Sequence, residues 1–394
     1  KNNSYSLSYI RVLYAMWLVR TVLSYLLTYR KSLLIADQKE YIASITGLIL
    51  NVVSYLAIIL LVTWEQNYLL ALGIGTVTEV VLNIWISWYV EQKYPFLRQR
   101  RKEKSTSSLT KRIVRDLKSL FISRISEKML YCTDNLIISG FIGVGTVGRY
   151  ANYCMITQAI SNILTILANT IQPTVGDYFT EKNRQRNYEI LRQLTFGFFC
   201  IASVVSVGLF SLITPFVRDI WLGPSYELGW GITVFCIVVL LVRIMGLPLS
   251  LVMGVTGLFE KEKNVGASSA LLNLIVSLAL VKPYGMAGVL LGTLLSYLLQ
   301  ILYRYIIYFR DFLEMPGEAL RYAQDIGEYL AVIAGEVLLM QKIVPLIYGA
   351  GGMLLFCVCF LLCIAIPLLL DLVIFGRGWR LQSIVTMVKG MRKA

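Results

Sequence analysis

Four charged side chains lie near the middle of apolar stretches that are long enough to cross a membrane. They are Arg20, Glu79, Arg243 and Glu336. A charge at the bilayer centre costs about 2.5 to 3.5 kcal/mol on insertion scales, so four that faced lipid would together cost about 12 kcal/mol. We therefore expect all four to face the protein interior or a water-filled cavity. Two interpretations stay open: the charges could line a functional path, or Glu79 and Glu336 could neutralise arginines within a packed bundle.

One stretch, 117–142, carries a continuous polar face, which is stronger evidence than an isolated charge. Arg124, Glu127 and Asp134 share this face with Tyr131, because their spacing returns to the same side of a helix. We assign Arg124, Glu127 and Asp134 to a substrate path. Arg124 lies close to one end of the stretch, so its guanidinium could instead reach the membrane edge.

The next stretch carries a longer stripe of amide and hydroxyl side chains. Its members are Gln158, Asn162, Thr165, Asn169 and Gln172. Amides can hold helices together by hydrogen bonds, but a stripe that covers most of the membrane more naturally lines an aqueous pathway. We therefore assign Gln158, Asn162 and Asn169 to substrate binding.

The composition predicts a multi-pass membrane protein that contains these stretches. Hydrophobic residues make up 57% of the chain and charged residues 15%, and the mean hydropathy is +0.67. Eleven stretches are long enough to cross about 30 Å of hydrocarbon. They lie near 9–29, 41–63, 68–90, 117–142, 146–171, 189–214, 229–253, 264–281, 286–309, 327–347 and 351–375. An all-α fold follows, since each span must satisfy its own backbone hydrogen bonds in lipid.

Lysines and arginines are distributed very unevenly between the two sets of alternate connections. One set holds 25 of them, ten of which lie between Lys93 and Lys118, whereas the other set contributes Arg218 and Lys282. Basic residues accumulate on the cytoplasmic side. The C-terminus is therefore expected in the cytoplasm and residue 1 outside.

Residues 39–57 are echoed 222 positions later by residues 261–279, including the pair Asn51 and Asn273. At an offset of 217 the echo continues with Gly75-Thr76 and Gly292-Thr293. The pairing predicts two parallel six-helix bundles around a central cavity and two extra C-terminal spans, fourteen in all, with three helices expected before residue 1. It also places Arg20 and Arg243 at similar depth.

The domain boundaries follow from this pairing. We expect three of the six N-terminal helices at 1–90, a basic cytoplasmic linker at 91–116, a six-helix bundle at 117–309, two additional helices at 310–375 and a basic cytoplasmic tail at 376–394.

The net charge of +14 reflects this topology and indicates no nucleic-acid partner. Seven cysteines and no histidine occur, and most cysteines fall within apolar stretches. We interpret them as small packing residues, and expect neither a metal nor a cofactor.

Three segments resemble polysaccharide flippases of the Wzx type, in the multidrug/oligosaccharidyl-lipid/polysaccharide exporter superfamily. They are LSYLLTYRKSLLIADQKEYI (23–42), TDNLIISGFIGVGTVGRYANY (133–153) and LVMGVTGLFEKEKN (251–264). The most specific pattern comprises Asp134, Gly140, Gly143, Gly148 and Tyr150. Before that tyrosine the chain has Arg149, where the family usually has an aliphatic residue.

The resemblance implies alternating access for an oligosaccharide linked to undecaprenyl diphosphate. Guanidinium groups bind phosphates through charge-assisted hydrogen bonds, so Arg20, Arg124 and Arg243 are expected at the diphosphate and the amide stripe at the glycan. Expected partners are this lipid-linked oligosaccharide, membrane lipids and the polymerase and glycosyltransferases of the same pathway.

Three alternatives stay open. A cation-coupled multidrug exporter would use a mid-membrane carboxylate, which Glu79, Asp134 or Glu336 could supply. A peptidoglycan-precursor flippase would differ mainly in the glycan. A membrane glycosyltransferase would need a catalytic base and a sizeable soluble loop, and the sequence indicates neither, so we expect no enzyme.

Overall fold

The computed structural model describes residues 6–25, 28–37, 39–65, 67–95, 132–179, 183–349 and 351–376. Two of the predicted site residues, Arg124 and Glu127, lie outside these ranges. The chain divides into two compact units, Lys1–Thr106 and Ser107–Ala394.

The first unit contains four described helices. They are α1 (Leu7–Tyr25), α2 (Thr28–Ala36), α3 (Glu40–Glu65) and α4 (Tyr68–Lys93). Helix α4 packs against each of the other three. Asn67 caps its first turn by accepting hydrogen bonds from the backbone N–H groups of Leu69 and Leu70, at 3.1 and 3.3 Å. Few residues of this unit are buried, and its small core consists of Leu34, Ala43, Ile86 and Val90.

Polar contacts join α2 to the end of α4 in the first unit. Arg30 forms an ion pair with Glu91 at 2.5 Å and donates to the hydroxyl of Ser87. Next to this contact, Lys39 pairs with Asp37, and the hydroxyl of Tyr94 donates to the same carboxylate at 2.7 Å. These neighbours, Lys39 first, hold the pKa of the Asp37 carboxyl below its usual value.

The second unit contains eight described helices. They are α5 (residues 132–141), α6 (Val144–Tyr178), α7 (Arg184–Pro215), α8 (Trp230–Val255), α9 (Phe259–Tyr284), α10 (Met286–Ile307), α11 (Pro316–Tyr348) and α12 (Met353–Phe375). A π-helical turn extends α7 through Phe216–Trp221, and another extends α10 through Tyr308–Leu313. Asn183 caps α7 by accepting from the N–H of Arg186 at 3.0 Å.

Helices α7 and α8 form the centre of the second unit. They are the most buried of its candidate membrane spans, and α6, α10, α11 and α12 each pack on one of them. Helices α9 and α10 form a close hairpin around Gly285, whose φ of +57° suits a glycine. Gly292 lies directly against the backbone of Asn273 and the hydroxyl of Ser277, so a glycine is needed there.

Nine of the described helices are long and apolar enough to cross a membrane. They are α3, α4 and every helix from α6 to α12, and each lies on a stretch that the sequence predicts as a span. The predicted all-α, multi-pass fold is confirmed. Helix α1 occupies the predicted span 9–29 but carries Arg11 and Arg20 and falls outside the nine.

A candidate substrate cavity in the second unit

A cavity of about 70 Å³ opens among α5, α6, α8 and α10. Three of the predicted site residues, Asp134, Gln158 and Arg243, line it together. Its other walls are Asn135, Tyr150, Cys154, Thr157, Cys236, Val239, Leu240, Leu290, Thr293 and Tyr297. The cavity therefore places a carboxyl, an amide and a guanidinium from three different helices at one site.

Asp134 lies on the inner wall of this cavity and is 4% exposed. The hydroxyl of Thr293 on α10 donates to its Oδ2 at 2.7 Å. The amide of Asn273 on α9 donates to the Thr293 hydroxyl at 2.9 Å and to Asp134 Oδ1 at 3.5 Å. These hydrogen bonds fix the orientation of the carboxyl within the protein, as a buried polar group requires.

Arg243 and Gln158 form the more open part of the cavity. Arg243 is half-buried near the middle of α8, whereas Gln158 is exposed on α6. Beside them, Cys154 and Tyr150 lie one and two turns before Gln158 along α6 and line the same wall. A guanidinium next to an accessible amide can bind an anionic group and a neighbouring hydroxyl.

The predicted amide stripe continues from this cavity along α6. Gln158, Asn162 and Asn169 are exposed, whereas Ser161, Leu164 and Ala168 on the adjacent face of the helix are buried, and α6 packs against α8. At the far end of the stripe, Gln172 lies against Gly254 of α8. A Cβ added at Gly254 would be 2.7 Å from Nε2 of Gln172. Gln158, Asn162 and Asn169 are therefore accessible, whereas Thr165 is half-buried and Gln172 packs against a neighbouring helix.

Arg20 and Glu79 lie in the first unit. The guanidinium of Arg20 covers Gly75 of α4, where an added Cβ would be 2.7 Å from Nη1. Glu79 is half-buried and lies one turn after Gly75, on the same face of α4. The glycine thus leaves the space that the guanidinium occupies.

Glu336 lies outside the cavity, on α11. It is 3% exposed and accepts a hydrogen bond from the hydroxyl of Ser203 on α7 at 2.5 Å. Asp371 on α12 is 4% exposed and lies close enough to Glu336 to interact with its charge. Among the described residues, no group of three His, Cys, Asp or Glu side chains that could hold a metal ion is present.

Four polar residues, two at the cavity and two beside Glu336, have no role predicted from the sequence. Asn273 and Thr293 match Asn51 and Thr76 in the repeat, and this echo is the signal that could have identified them. Asp371 could have been found as the single charge in the stretch LLLDLVIF. Ser203 lies in a run of small and apolar residues and gives no such signal.

Comparisons with known proteins agree with this architecture. A family profile described as "Polysaccharide biosynthesis protein" matches residues 2–179. The solved structure of "Lipid II flippase MurJ, inward closed conformation" matches with a TM-score of 0.65 at 14% identity, covering 88% of this chain and 70% of that chain. No curated protein matches the chain. At this identity the structural likeness concerns the fold, and the family match supports the resemblance over residues 2–179.

Proposed function

We propose that this chain is a flippase of the multidrug/oligosaccharidyl-lipid/polysaccharide exporter superfamily, which moves a lipid-linked oligosaccharide across the cell membrane. The observation that carries the proposal is the cavity at which Arg243, Gln158 and Asp134 meet. The family match over residues 2–179 and the shared fold support this class of cargo.

The groups around the cavity suit the two chemical parts of such a cargo. Arg243 would bind the anionic diphosphate, because guanidinium groups form strong, charge-assisted hydrogen bonds to phosphate oxygens. The sugars would extend along the exposed amides of Gln158, Asn162 and Asn169, which both donate and accept hydrogen bonds.

Asp134 would line the path as a fixed hydrogen-bonding group, because Thr293 and Asn273 hold its carboxyl. In the first unit, Arg20 would contact the diphosphate, and Glu79 would be its charge partner or a coupling group. Arg124 and Glu127 keep their predicted place on the substrate path, outside the described residues.

The proposed cargo is an undecaprenyl-diphosphate oligosaccharide that passes from the cytoplasmic to the outer leaflet of a bacterial membrane by alternating access. The reaction makes and breaks no covalent bond, so the protein would be a transporter rather than an enzyme. The polymerase and glycosyltransferases of the same pathway would supply or receive the cargo.

A peptidoglycan precursor is the second candidate cargo, and the fold match to a protein named as a lipid II flippase favours it. Both candidates present a diphosphate to Arg243 and differ in the glycan. A cation-coupled drug exporter would instead use the buried carboxyl of Asp134 at the cavity wall.

Lipid analysis of a strain that lacks the gene tests the function and distinguishes these cargoes. We expect one lipid-linked oligosaccharide to accumulate on the cytoplasmic leaflet. Accumulation of the peptidoglycan precursor would select the second cargo, and drug hypersensitivity without either lipid would contradict the flippase proposal.

Flipping assays with Arg243 variants test the site. Replacement by alanine removes a charge-assisted contact, so Arg243→Ala should slow flipping of a fluorescent lipid-linked oligosaccharide about tenfold or more in proteoliposomes. Arg310→Ala is the matched control, because the Arg310 side chain is 75% exposed beside Asp311. Equal rates for Arg243→Ala and this control, at equal reconstitution, would contradict the role of Arg243.

A further inference from the structure

Glu336 and Asp371 lie in the interior of the module formed by α7, α11 and α12. Helix α7 contacts both other helices, and these two also contact each other. Both carboxyls are at least nine-tenths buried. The substrate cavity lies on other helices, so this pair is a separate feature of the second unit.

Aromatic rings close one side of the carboxyl pair. Phe199 stacks on Tyr329 with ring centroids 4.5 Å apart and meets the edge of Phe375 at 5.5 Å. Asp371 lies one turn before Phe375, and Ser203 one turn after Phe199. The carboxyls therefore lie directly behind an aromatic layer.

Few charged or titratable side chains lie near Glu336 and Asp371 among the described residues. From α7, Cys200 lies close to both carboxyls, and Ser203 binds Glu336 and lies near Asp371. Arg192 lies on α7 beyond the aromatic layer and is bound to Asp325 of α11 through two hydrogen bonds, at 2.6 and 3.0 Å. Within the part of the chain that the structure describes, no salt bridge joins a basic side chain to either carboxyl.

The hydrogen bonds of the pair are incomplete. Ser203 has one hydroxyl proton, and it goes to Glu336 Oε2. Glu336 Oε1 and both oxygens of Asp371 have no donor among the described residues. Two carboxylates in this position would repel each other in a medium that already disfavours one charge. A proton on one carboxyl removes that repulsion and supplies a donor for the other.

We propose that Glu336 and Asp371 form a proton-binding site in which the two carboxyls share one proton. The proton bonds to an oxygen of one carboxyl and is donated to the remaining carboxylate, so the occupied pair carries a single negative charge. Release of the proton leaves two negative charges close together, one on α11 and one on α12. This site is independent of the cargo under the proposed function.

A calcium ion fits the same place less well. The site offers five side-chain oxygens, two from Glu336, two from Asp371 and one from Ser203. A hard cation such as Ca²⁺ takes about six to eight oxygen ligands. A proton needs one donor and one acceptor, which the facing carboxyls supply.

Labelling with dicyclohexylcarbodiimide tests the proposal on the purified full chain without any variant. This apolar reagent reacts with protonated carboxyls in membrane interiors, and mass spectrometry locates the adduct. We expect an adduct on Glu336 or Asp371 at neutral pH that is lost as the pH rises. Absence of an adduct on both residues at every pH, while Asp134 is labelled, would overturn the proposal. Protection by sodium at constant pH would also overturn it and indicate a cation site.

Infrared difference spectra between low and high pH, recorded for variants, give the second measurement. The double variant Glu336→Gln with Asp371→Asn should lose the carbonyl band of one protonated carboxyl. The matched control is Glu328→Gln, which changes an exposed carboxyl two turns earlier on α11 and should keep the band. An unchanged band in the folded double variant would contradict a shared proton. Should that variant not fold, the labelling of the native chain still decides.

Discussion

An ion pair between Arg192 and Asp325 joins α7 to α11. Arg192 Nε and Nη2 donate to both oxygens of Asp325, and the two side chains are 21% and 8% exposed. Removing one partner of a buried pair leaves a charge uncompensated, which costs about 3 kcal/mol or more. We expect Arg192→Ala to lower the free energy of unfolding by this amount, measured by thermal or denaturant unfolding of the full chain in detergent micelles.

The pair Arg321 and Glu318 on α11, whose arginine is exposed, provides the control. The Arg321 side chain is 69% exposed, so Arg321→Ala should change stability by about 1 kcal/mol or less. Equal losses for Arg192→Ala and Arg321→Ala would show that the pair with Asp325 contributes no more than a surface contact.

Thr293 is the second residue whose replacement has a defined consequence. Thr293→Val keeps the shape of the side chain but removes the 2.7 Å hydrogen bond to Asp134. A buried acceptor that loses its donor costs about 1 to 3 kcal/mol, and we expect a loss of that size in unfolding experiments. The control is Thr78→Val, because the Thr78 hydroxyl bonds to the carbonyl of Ile74 in its own helix. Similar losses for both variants would contradict the role of the Asp134 contact.

Close approach of α9 and α10 depends on small residues. A Cβ at Gly292 would lie 3.1 Å from the carbonyl oxygen of Asn273 and closer still to the Ser277 hydroxyl. Gly292→Ala should therefore separate the helices and destabilise the hairpin by about 1 to 3 kcal/mol, as overpacking does. Gly327 of α11 has nothing within 4 Å of its added Cβ. Gly327→Ala should be neutral or stabilising by about 0.5 to 1 kcal/mol, and equal destabilisation would contradict this account.

Periodicity predicts which face of an element a residue occupies, and this part of the sequence interpretation agrees with the structure. Gln158 and Asn162 follow helical spacing, and both are exposed on α6. The partners of a buried group are harder to predict, because they come from other helices. Asp134 is bound by Asn273 and Thr293, which the α9–α10 hairpin brings to it from more than 130 positions away. The internal repeat marks Asn273 and Thr293, but the packing between helices decides that they meet Asp134, and the spacing along a single helix does not show this contact.

Substitutions in the polar stripe of α6 can distinguish an effect on folding from an effect on transport. Asn162 and Asn169 are exposed, so leucine at both positions should leave the folded state intact. If the stripe binds sugars, the same double variant should flip a lipid-linked oligosaccharide about tenfold more slowly, because two hydrogen-bonding groups are lost. Thr170→Leu is the control, since Thr170 is exposed on α6 at another side of the helix. Normal flipping by the double variant would assign this face to lipid contact.

The uneven distribution of basic residues predicts the orientation of the whole chain in the membrane. Basic residues stay on the cytoplasmic side, so the turn between α7 and α8 should face outside and the turn between α10 and α11 inside. Ser225 lies in the first turn and Gly317 at the start of α11, and both are exposed. In a chain whose seven cysteines are replaced, an impermeant maleimide added to intact cells should label Ser225→Cys but not Gly317→Cys. In permeabilised cells the maleimide should label both cysteines, which shows that both thiols can react. Labelling of Gly317→Cys alone in intact cells would reverse the orientation and place Arg192 and Asp325 near the outer end of the module.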